Sequence, residues 1–310
     1  YNSMVKNNVA ILLAAYDGEK WIEEQIYSIL NQKNINFKIF ISVDKSNDST
    51  YEICKSLSIK YKNIVLNLRS ENKSSAAKNF YSLIKEIDIQ DYDYISLSDQ
   101  DDIWFDNKIY EAIKLMEKKS AYGYSSNTLA FWENKKSMVI KKSYNMKKYD
   151  HFFESAGPGC TYVLKKDKFK TLQNFIKLNW NLVYDISQHD WFIYAFYREN
   201  NYKWVIDENY FMNYRQHFNN QFGVNVGVSN IILRLKLIYS GWYKNEIIKI
   251  TNLVNSKNDY FKKKFCKNDL NYCLLIKNIL QLRRRPRDII VLFVLITIKL
   301  IKFYLKKYIV

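Results

Sequence analysis

Only two prolines and seven glycines punctuate the 310 residues of this chain, so its turns must be built from Asn, Asp, Ser and Lys. No Gly-rich phosphate loop follows the first apolar run, which continues as AAYDGEKW. The four cysteines, Cys54, Cys160, Cys266 and Cys273, make no CxxC pair and no zinc spacing. That pattern excludes a zinc module and reads as reduced, mostly buried thiols of a cytosolic protein. No internal repeat or low-complexity segment occurs, and the opening YNSMVKNNVAILLAAYDGE reads as strand rather than signal peptide. Acidic residues are scarce in one region: after residue 230, 18 Lys or Arg face 4 Asp or Glu, a net +14 of the total +17. The first 230 residues therefore carry only +3, which argues against nucleic-acid binding as the role of the whole chain.

What is present suits a large globular domain. Hydrophobic residues make up 48% and aromatics 16% of the chain, ample for a core. VAILLAA (9–15) is the continuous apolar run of a strand buried on both faces. Trp21, Ile22, Gln25, Ile26, Ile29 and Leu30 then recur at helical spacing. The strand FKIFISVD ends at Asp44; SNDSTYEICKSLSIKY starts with helix-capping chemistry; NIVLNLRS is a third strand, AAKNFYSLIKEI a helix and YDYISLSD a fourth strand. This alternation predicts an α/β fold with a mostly parallel, doubly wound (Rossmann-like) sheet flanked by helices. In such sheets ligands bind beyond the carboxyl ends of the strands, so Tyr16, Asp44 and the Asp99 cluster should converge. Residues 120–230 read as less regular, with short strands and loops. Beyond Gly227 the chain turns helical and basic. The apolar stretch Ile289 to Ile298, broken only by Thr297, falls short of the about 20 residues that span a bilayer. With RRRPR before it and Lys299, Lys302 and Lys306 after it, 286–310 reads as an amphipathic helix lying in an anionic membrane surface.

The chemistry concentrates in YISLSDQDDIWFDNK, 94–108, where Asp99, Asp101 and Asp102 follow a strand. In Asp-x-Asp at a strand end, the period of two points both carboxylates the same way. Mg²⁺ or Mn²⁺ takes such oxygens together with substrate phosphates.

Taken with AAYDGEKWIEEQIYSILNQ, SVDKSNDST, SQHDWF and YRQHFNNQFG, this motif resembles the family-2 inverting glycosyltransferases of the GT-A fold. The resemblance covers about residues 8–225 and is closest to the bacterial rhamnosyltransferase-like branch that builds cell-wall and capsular polysaccharides. It implies a hexosyltransferase with a GT-A domain over 1–228: a nucleotide-sugar half (about 8–120) and an acceptor half (about 121–228). The remainder, 229–310, is a helical extension that either pairs two chains as a homodimer or packs on the catalytic domain. The implied cofactor is Mn²⁺ or Mg²⁺. The implied partners are a dTDP- or UDP-sugar donor and a polyprenyl-linked glycan acceptor, at the cytoplasmic face of the cell membrane.

By the same resemblance, Tyr16 stacks on the nucleotide base, Asp44 accepts its imide N–H, and Asp99 lies near the ribose and diphosphate. Asp101 is the direct metal ligand, His217 completes the metal shell, and Arg215 contacts phosphate. Asn79 contacts the donor sugar, and Asp102 either hydrogen-bonds or caps the next helix. Asp190 is the catalytic base, with Gly159, His189 and Trp191 on the acceptor side and Gly159 permitting close approach of a sugar. Two departures stand out. Val43 and Lys45 flank Asp44 where a second acid and a Gly are usual, and Ser75 or a neighbour replaces a Gly before KNF. Two other readings account for part of the pattern: a nucleotidyltransferase, and a non-enzymatic basic membrane- or nucleic-acid-binding scaffold.

Overall fold

The computed structural model describes residues 6–68, 75–217, 240–254, 259–266 and 269–308. These fold into two compact units. The first comprises 1–143, 157–190 and 202–226; the second comprises 144–156, 191–201 and 227–310. Two inner segments thus group with the C-terminal stretch, an arrangement a boundary at 228 does not describe.

The first unit holds nine strands in one sheet: β1 (Asn8–Ala15), β2 (Asn36–Val43), β3 (Ile64–Leu68), β4 (Tyr94–Ser98), β5 (Ile103–Trp104), β6 (Gly123–Phe131), β7 (Ser137–Ile140), β8 (Val163–Lys165) and β9 (Trp204–Arg215). Their order is β3-β2-β1-β4-β8-β6-β9-β5, with β7 beside β6. The β3-β2-β1-β4 half is parallel, as the alternation predicts. Val9 to Leu13 are fully buried, as expected of a central strand covered on both faces. Helices α1 (Ile22–Leu30), α2 (Thr50–Lys60) and α3 (Ala76–Glu86) make the crossovers, and α4 (Lys108–Lys119) follows β5. The region read as irregular is more ordered than its sequence suggests. It contains the nine-residue β6, the twelve-residue β9, α5 (Lys166–Leu178), α6 (Trp180–Tyr184) and α7 (His189–Glu199). Antiparallel β8 and parallel β9 extend the sheet there.

Register sets the site. Ala15 pairs with Val43, and Leu13 with Ser98, so Tyr16, Asp44 and Asp99 leave the sheet side by side. On its other edge β9 runs antiparallel to β5, Ile103 opposite Asn213. That pairing delivers the YRQH segment to the aspartate loop.

The second unit is helical: α8 (Trp242–Val254), α9 (Asp259–Phe265), α10 (Tyr272–Lys277) and α11 (Pro286–Tyr308). Its centre is an ionic knot. The buried Asp150 accepts from Arg198 Nη1 (2.9 Å), Arg284 Nη1 (3.0 Å) and the Tyr194 hydroxyl (3.0 Å). Arg283 donates to the Phe153 carbonyl and to the Tyr243 hydroxyl, the latter at 3.1 Å. Arg283 and Arg284, read from sequence as part of a lipid-facing arginine cluster, are therefore committed within the protein. Aromatic stacking of Phe261 on Phe152 (4.3 Å) and Phe265 (4.5 Å) fills out this core. Pro286 opens α11, where its fixed φ and missing N–H cost nothing. Leu292 and Ile296 of α11 are buried, while Ile290, Val294, Ile298, Ile301 and Leu305 form an exposed stripe. Among the described residues no helix is long and apolar enough to cross a membrane. The basic helix read over 229–243 lies mostly outside the described residues, as do residues 218–223 of the last motif.

Candidate active site

Two short turns at the strand ends are laced together by side chains. Asp17 N–H donates to Ser46 Oγ (3.1 Å), Gly18 N–H to Thr50 Oγ1 (2.7 Å) and Glu19 N–H to Asp48 Oδ2 (3.1 Å). In the other direction Asn47 N–H donates to Asp17 Oδ1 (2.8 Å) and Ser49 N–H to Glu19 Oε2 (3.0 Å). Asp48 receives the Thr50 amide at 3.0 Å, while Ser49, at the start of α2, makes no side-chain capping bond. A third clamp comes from the aspartate loop. Gln100 Oε1 accepts the Tyr16 amide and its Nε2 donates to the Tyr16 carbonyl, both at 2.8 Å. A Cβ on Gly18 would lie 2.3 Å from Gln100 Oε1, so a larger residue there would push the Gln100 amide off the Tyr16 backbone. Tyr16 itself stays 44% exposed, which lets it present its ring at the cleft. Asp44 is buried beside it. Asn79 is 1% exposed and donates from Nδ2 to the Ser42 carbonyl at 3.1 Å. It braces the end of β2 in this structure.

The aspartate loop meets β9 through Arg215 and His217. Arg215 N–H donates to Asp102 Oδ1 (3.2 Å) and its Nε to the Asp101 carbonyl (2.9 Å). The Arg215 guanidinium also pairs with Glu24 of α1 and lies over the Phe131 ring at 4.7 Å. A phosphate contact from Arg215 would compete with Glu24. His217 Nε2 and Asp101 Oδ2 stand 2.7 Å apart, and the imidazole stacks on Trp21 at 3.9 Å.

Below lies a cluster of one partly buried and two buried residues. Ligand atoms of Asp99, Asp102 and Cys160 come within 4.8 Å of one another. Burial, reinforced by the Asp101 charge, pushes the Asp99 carboxyl up to about 7. Burial and the charges of Asp101 and Asp99 hold Asp102 well above the usual carboxylate range. Carboxyl groups are thus crowded and disfavoured in their ionised form at this edge, a condition a divalent cation would relieve. The oxygen and imidazole donors of Asp101 and His217 fit Mg²⁺ or Mn²⁺.

Asp190 sits in the first turn of α7, where the helix dipole favours a carboxylate. Its charge reaches Asp99, and the Tyr162 hydroxyl holds its carbonyl at 3.2 Å. The preceding His189 stacks on Phe80 (4.2 Å), and burial pushes its imidazole down to about 3. A Cβ on Gly159 would come within 2.4 Å of His189 Nε2. The space left by this glycine, expected to admit a sugar, is filled by the histidine ring. Trp191 groups with the second unit, where its indole N–H donates to the His151 carbonyl (2.9 Å) and its ring stacks on Tyr243.

Gln100, Trp21, Glu24, Cys160 and Lys108 received no role from the sequence. All but Cys160 lie inside motifs already singled out, so position was the available signal; Cys160 follows the GPG turn.

Residues 10–198 match the family described as Glycosyl transferase family 2. The chain is 41% identical over 289 residues to the dTDP-rhamnosyl transferase RfbG of Shigella flexneri, covering 93% of this chain and all of that one. A putative glycosyltransferase EpsE of Bacillus subtilis (strain 168) is 29% identical over 115 residues, 37% of this chain and 40% of its own. Among solved structures, S. aureus TarS 1-349 in complex with UDP-GlcNAc superposes with a TM-score of 0.53 at 13% identity, covering 92% of this chain and 83% of that one. The mannosyltransferase PcManGT of Pyrobaculum calidifontis, in complex with GDP-Man and Mn²⁺, gives 0.51 at 11% identity, covering 70% and 59%. The fold is thus that of the GT-A glycosyltransferases. With strand ends, aspartate loop and sequence kinship in agreement, this chain belongs to glycosyl transferase family 2.

Proposed function

We propose that the protein is a metal-dependent inverting transferase that moves L-rhamnose from dTDP-rhamnose onto a polyprenyl-linked glycan at the cytoplasmic face of the bacterial membrane. The observation that carries this reading is the convergence of Tyr16, Asp44 and Asp99 at the ends of β1, β2 and β4, with Asp101 and His217 2.7 Å apart. Likeness to a dTDP-rhamnosyl transferase over nearly the whole chain supports the donor.

In this mechanism Tyr16 and Asp44 hold the base. Asp190 takes the proton of an acceptor hydroxyl as that oxygen attacks the anomeric carbon from the face opposite the nucleotide. The bond to the leaving diphosphate breaks with its electron pair, and a single displacement inverts the anomeric centre without a second carboxylate nucleophile. A divalent cation held by Asp101 and His217 would neutralise charge on the leaving diphosphate. The exposed stripe of α11, flanked by Arg285, Arg287 and Lys299, would rest in the anionic lipid surface. Family membership decides against the nucleotidyltransferase and scaffold readings.

The test is a thermal-shift panel of dTDP-, UDP- and GDP-sugars, each with Mn²⁺ and with EDTA, followed by product analysis. Stabilisation of about 2.7 kcal/mol is expected for a ligand at 100 times its dissociation constant. The reading requires a dTDP-selective, Mn²⁺-dependent shift and an inverted rhamnosyl product; a shift confined to another nucleotide would overturn the donor assignment.

A further inference from the structure

Helix α1 buries an amide side chain within its apolar face. Gln25 is 0% exposed, as are Ile22, Ile26 and Ile29 of the same helix. A polar side chain in a core is costly unless its groups are paired. Both ends of this amide are paired, and each leads to one end of the aspartate loop. On one side Gln25 Nε2 donates to Ser98 Oγ at 2.8 Å, and that hydroxyl donates to the Asp99 carbonyl at 2.9 Å. On the other side the Ser28 hydroxyl shares its proton between Gln25 Oε1 (3.1 Å) and the Gln25 carbonyl (2.8 Å), while its oxygen accepts the Trp104 amide at 3.0 Å. Three buried side chains thus form a relay from the Asp99 carbonyl, where the chain leaves β4, to the Trp104 amide in β5. Just beyond α1 the device recurs. Gln32 Nε2 donates to the Phe105 carbonyl (2.6 Å) and its Oε1 accepts the Ile109 amide (3.1 Å).

We propose that Gln25 is a positioning residue for the aspartate loop: through Ser98 and Ser28 it fixes the span between the two ends of the loop, and so the place where Asp99 and Asp101 emerge. The sheet does not supply this span. β4 and β5 are not neighbours in it, since β4 lies between β1 and β8 while β5 pairs with β9. No strand ladder therefore ties one end of the loop to the other, and the relay from α1 does. An amide suits the task because it donates at one end and accepts at the other. Glutamate would lack the donor for Ser98 and would add a carboxyl beside a loop already crowded with them. An apolar residue would withdraw the donor and leave the Ser98 oxygen unpaired in the core.

The test compares two buried glutamines in the full chain, Gln25→Met and Gln173→Met. Gln173 is 5% exposed, and its Nε2 donates to the carbonyls of Ile84 (2.8 Å) and Ile87 (2.7 Å). Its replacement removes similar bonds away from the loop and controls for general destabilisation. Amide hydrogen exchange is measured in EDTA, without substrate, on a peptide spanning 99–105. The Gln25 side chain bonds no amide of that peptide directly, so only movement of the loop speeds its exchange. The proposal requires exchange to quicken roughly tenfold in Gln25→Met, as for the loss of a hydrogen bond, and to stay unchanged in Gln173→Met. Equal acceleration in both variants, or none in Gln25→Met, would mean that Gln25 only fills the core, and would overturn it. Should Gln25→Met not fold, Ser98→Ala, which cuts the relay at its far link, carries the same requirement. The second readout, which rests on the proposed donor reading, is the Mn²⁺ concentration giving half of the dTDP-dependent shift. It should rise roughly tenfold in Gln25→Met, as for losses behind a metal ligand, and stay put in Gln173→Met. A rise in both variants or in neither would overturn the positioning role. Absence of any dTDP shift in the unaltered protein would sink the donor reading while leaving the exchange comparison decisive for Gln25.

Discussion

His217 Nε2 stands 2.7 Å from Asp101 Oδ2, although 116 residues separate them in sequence. A hydrogen bond between two strand ends carries the imidazole to the acidic loop, and Trp21 stacks on its other face. The contact unites motifs that the sequence displays far apart.

Replacing Asp190 by Asn removes the proton acceptor while leaving the pocket intact. Transfer should fall by about 10² to 10⁴-fold, with the nucleotide-dependent thermal shift retained. Turnover near that of the unaltered enzyme would refute the base assignment.

Gly18→Ala should drive a methyl against Gln100 Oε1. A loss of about 1–3 kcal/mol in stability is expected from overpacking, together with weaker nucleotide binding. Gln100→Ala in the same chain should recover part of the stability, which urea denaturation measures.

His189 gives an acid limb to stability. Burial depresses its folded pKa to about 3, against about 6.5 unfolded. Above pH 6.5 both states are neutral and the residue is silent. As pH falls from 6.5 toward 3, the unfolded chain takes up a proton that the native imidazole refuses, so native stability declines. His189→Phe, which keeps the stacking on Phe80, should flatten the Tm difference between pH 7 and pH 5. An unchanged slope would assign the acid limb to other groups.

Arg284→Met should be among the most damaging single changes in the second unit. It leaves the buried Asp150 with one fewer cation, and breaking a buried pair costs about 3–5 kcal/mol. Chemical denaturation followed by tryptophan fluorescence gives the magnitude.

The stripe on α11 offers a cleaner probe of membrane binding than deletion. Val294→Asp with Ile298→Asp changes two exposed positions. Sedimentation with vesicles rich in anionic lipid should drop sharply while Tm moves little. Unaltered sedimentation would remove the helix from the membrane proposal.

Much of the parallel half was legible because a strand buried on both faces must be continuously apolar: VAILLAA admits few alternatives. The convergence of Tyr16, Asp44 and Asp99 followed from topology alone. The ordering of 120–215 was not legible, since β6 carries Ser125, Ser126, Asn127 and Thr128 as buried residues, which no hydrophobic pattern reveals. The two-unit division was hidden for a related reason. Asp150 and Arg284 are 134 residues apart and joined by an ion pair, and a charge in sequence looks the same whether solvated or buried. Gly159 shows the reverse limit. Its smallness was evident, but which neighbour needed the room was a question of packing.

The lacing of the turns after β1 and β2 has a thermodynamic consequence. Five backbone amides of the two turns are already held by side chains of the opposite turn, so that part of the cradle meets its ligand in one shape. A nucleotide that enters a rigid cradle orders little chain, and rigidity of this kind favours affinity by lowering the entropy lost on association. Its binding should show a heat-capacity change far smaller than that of a loop folding around its ligand. Selectivity would then come from fit to a standing shape, with no induced closure of these two turns.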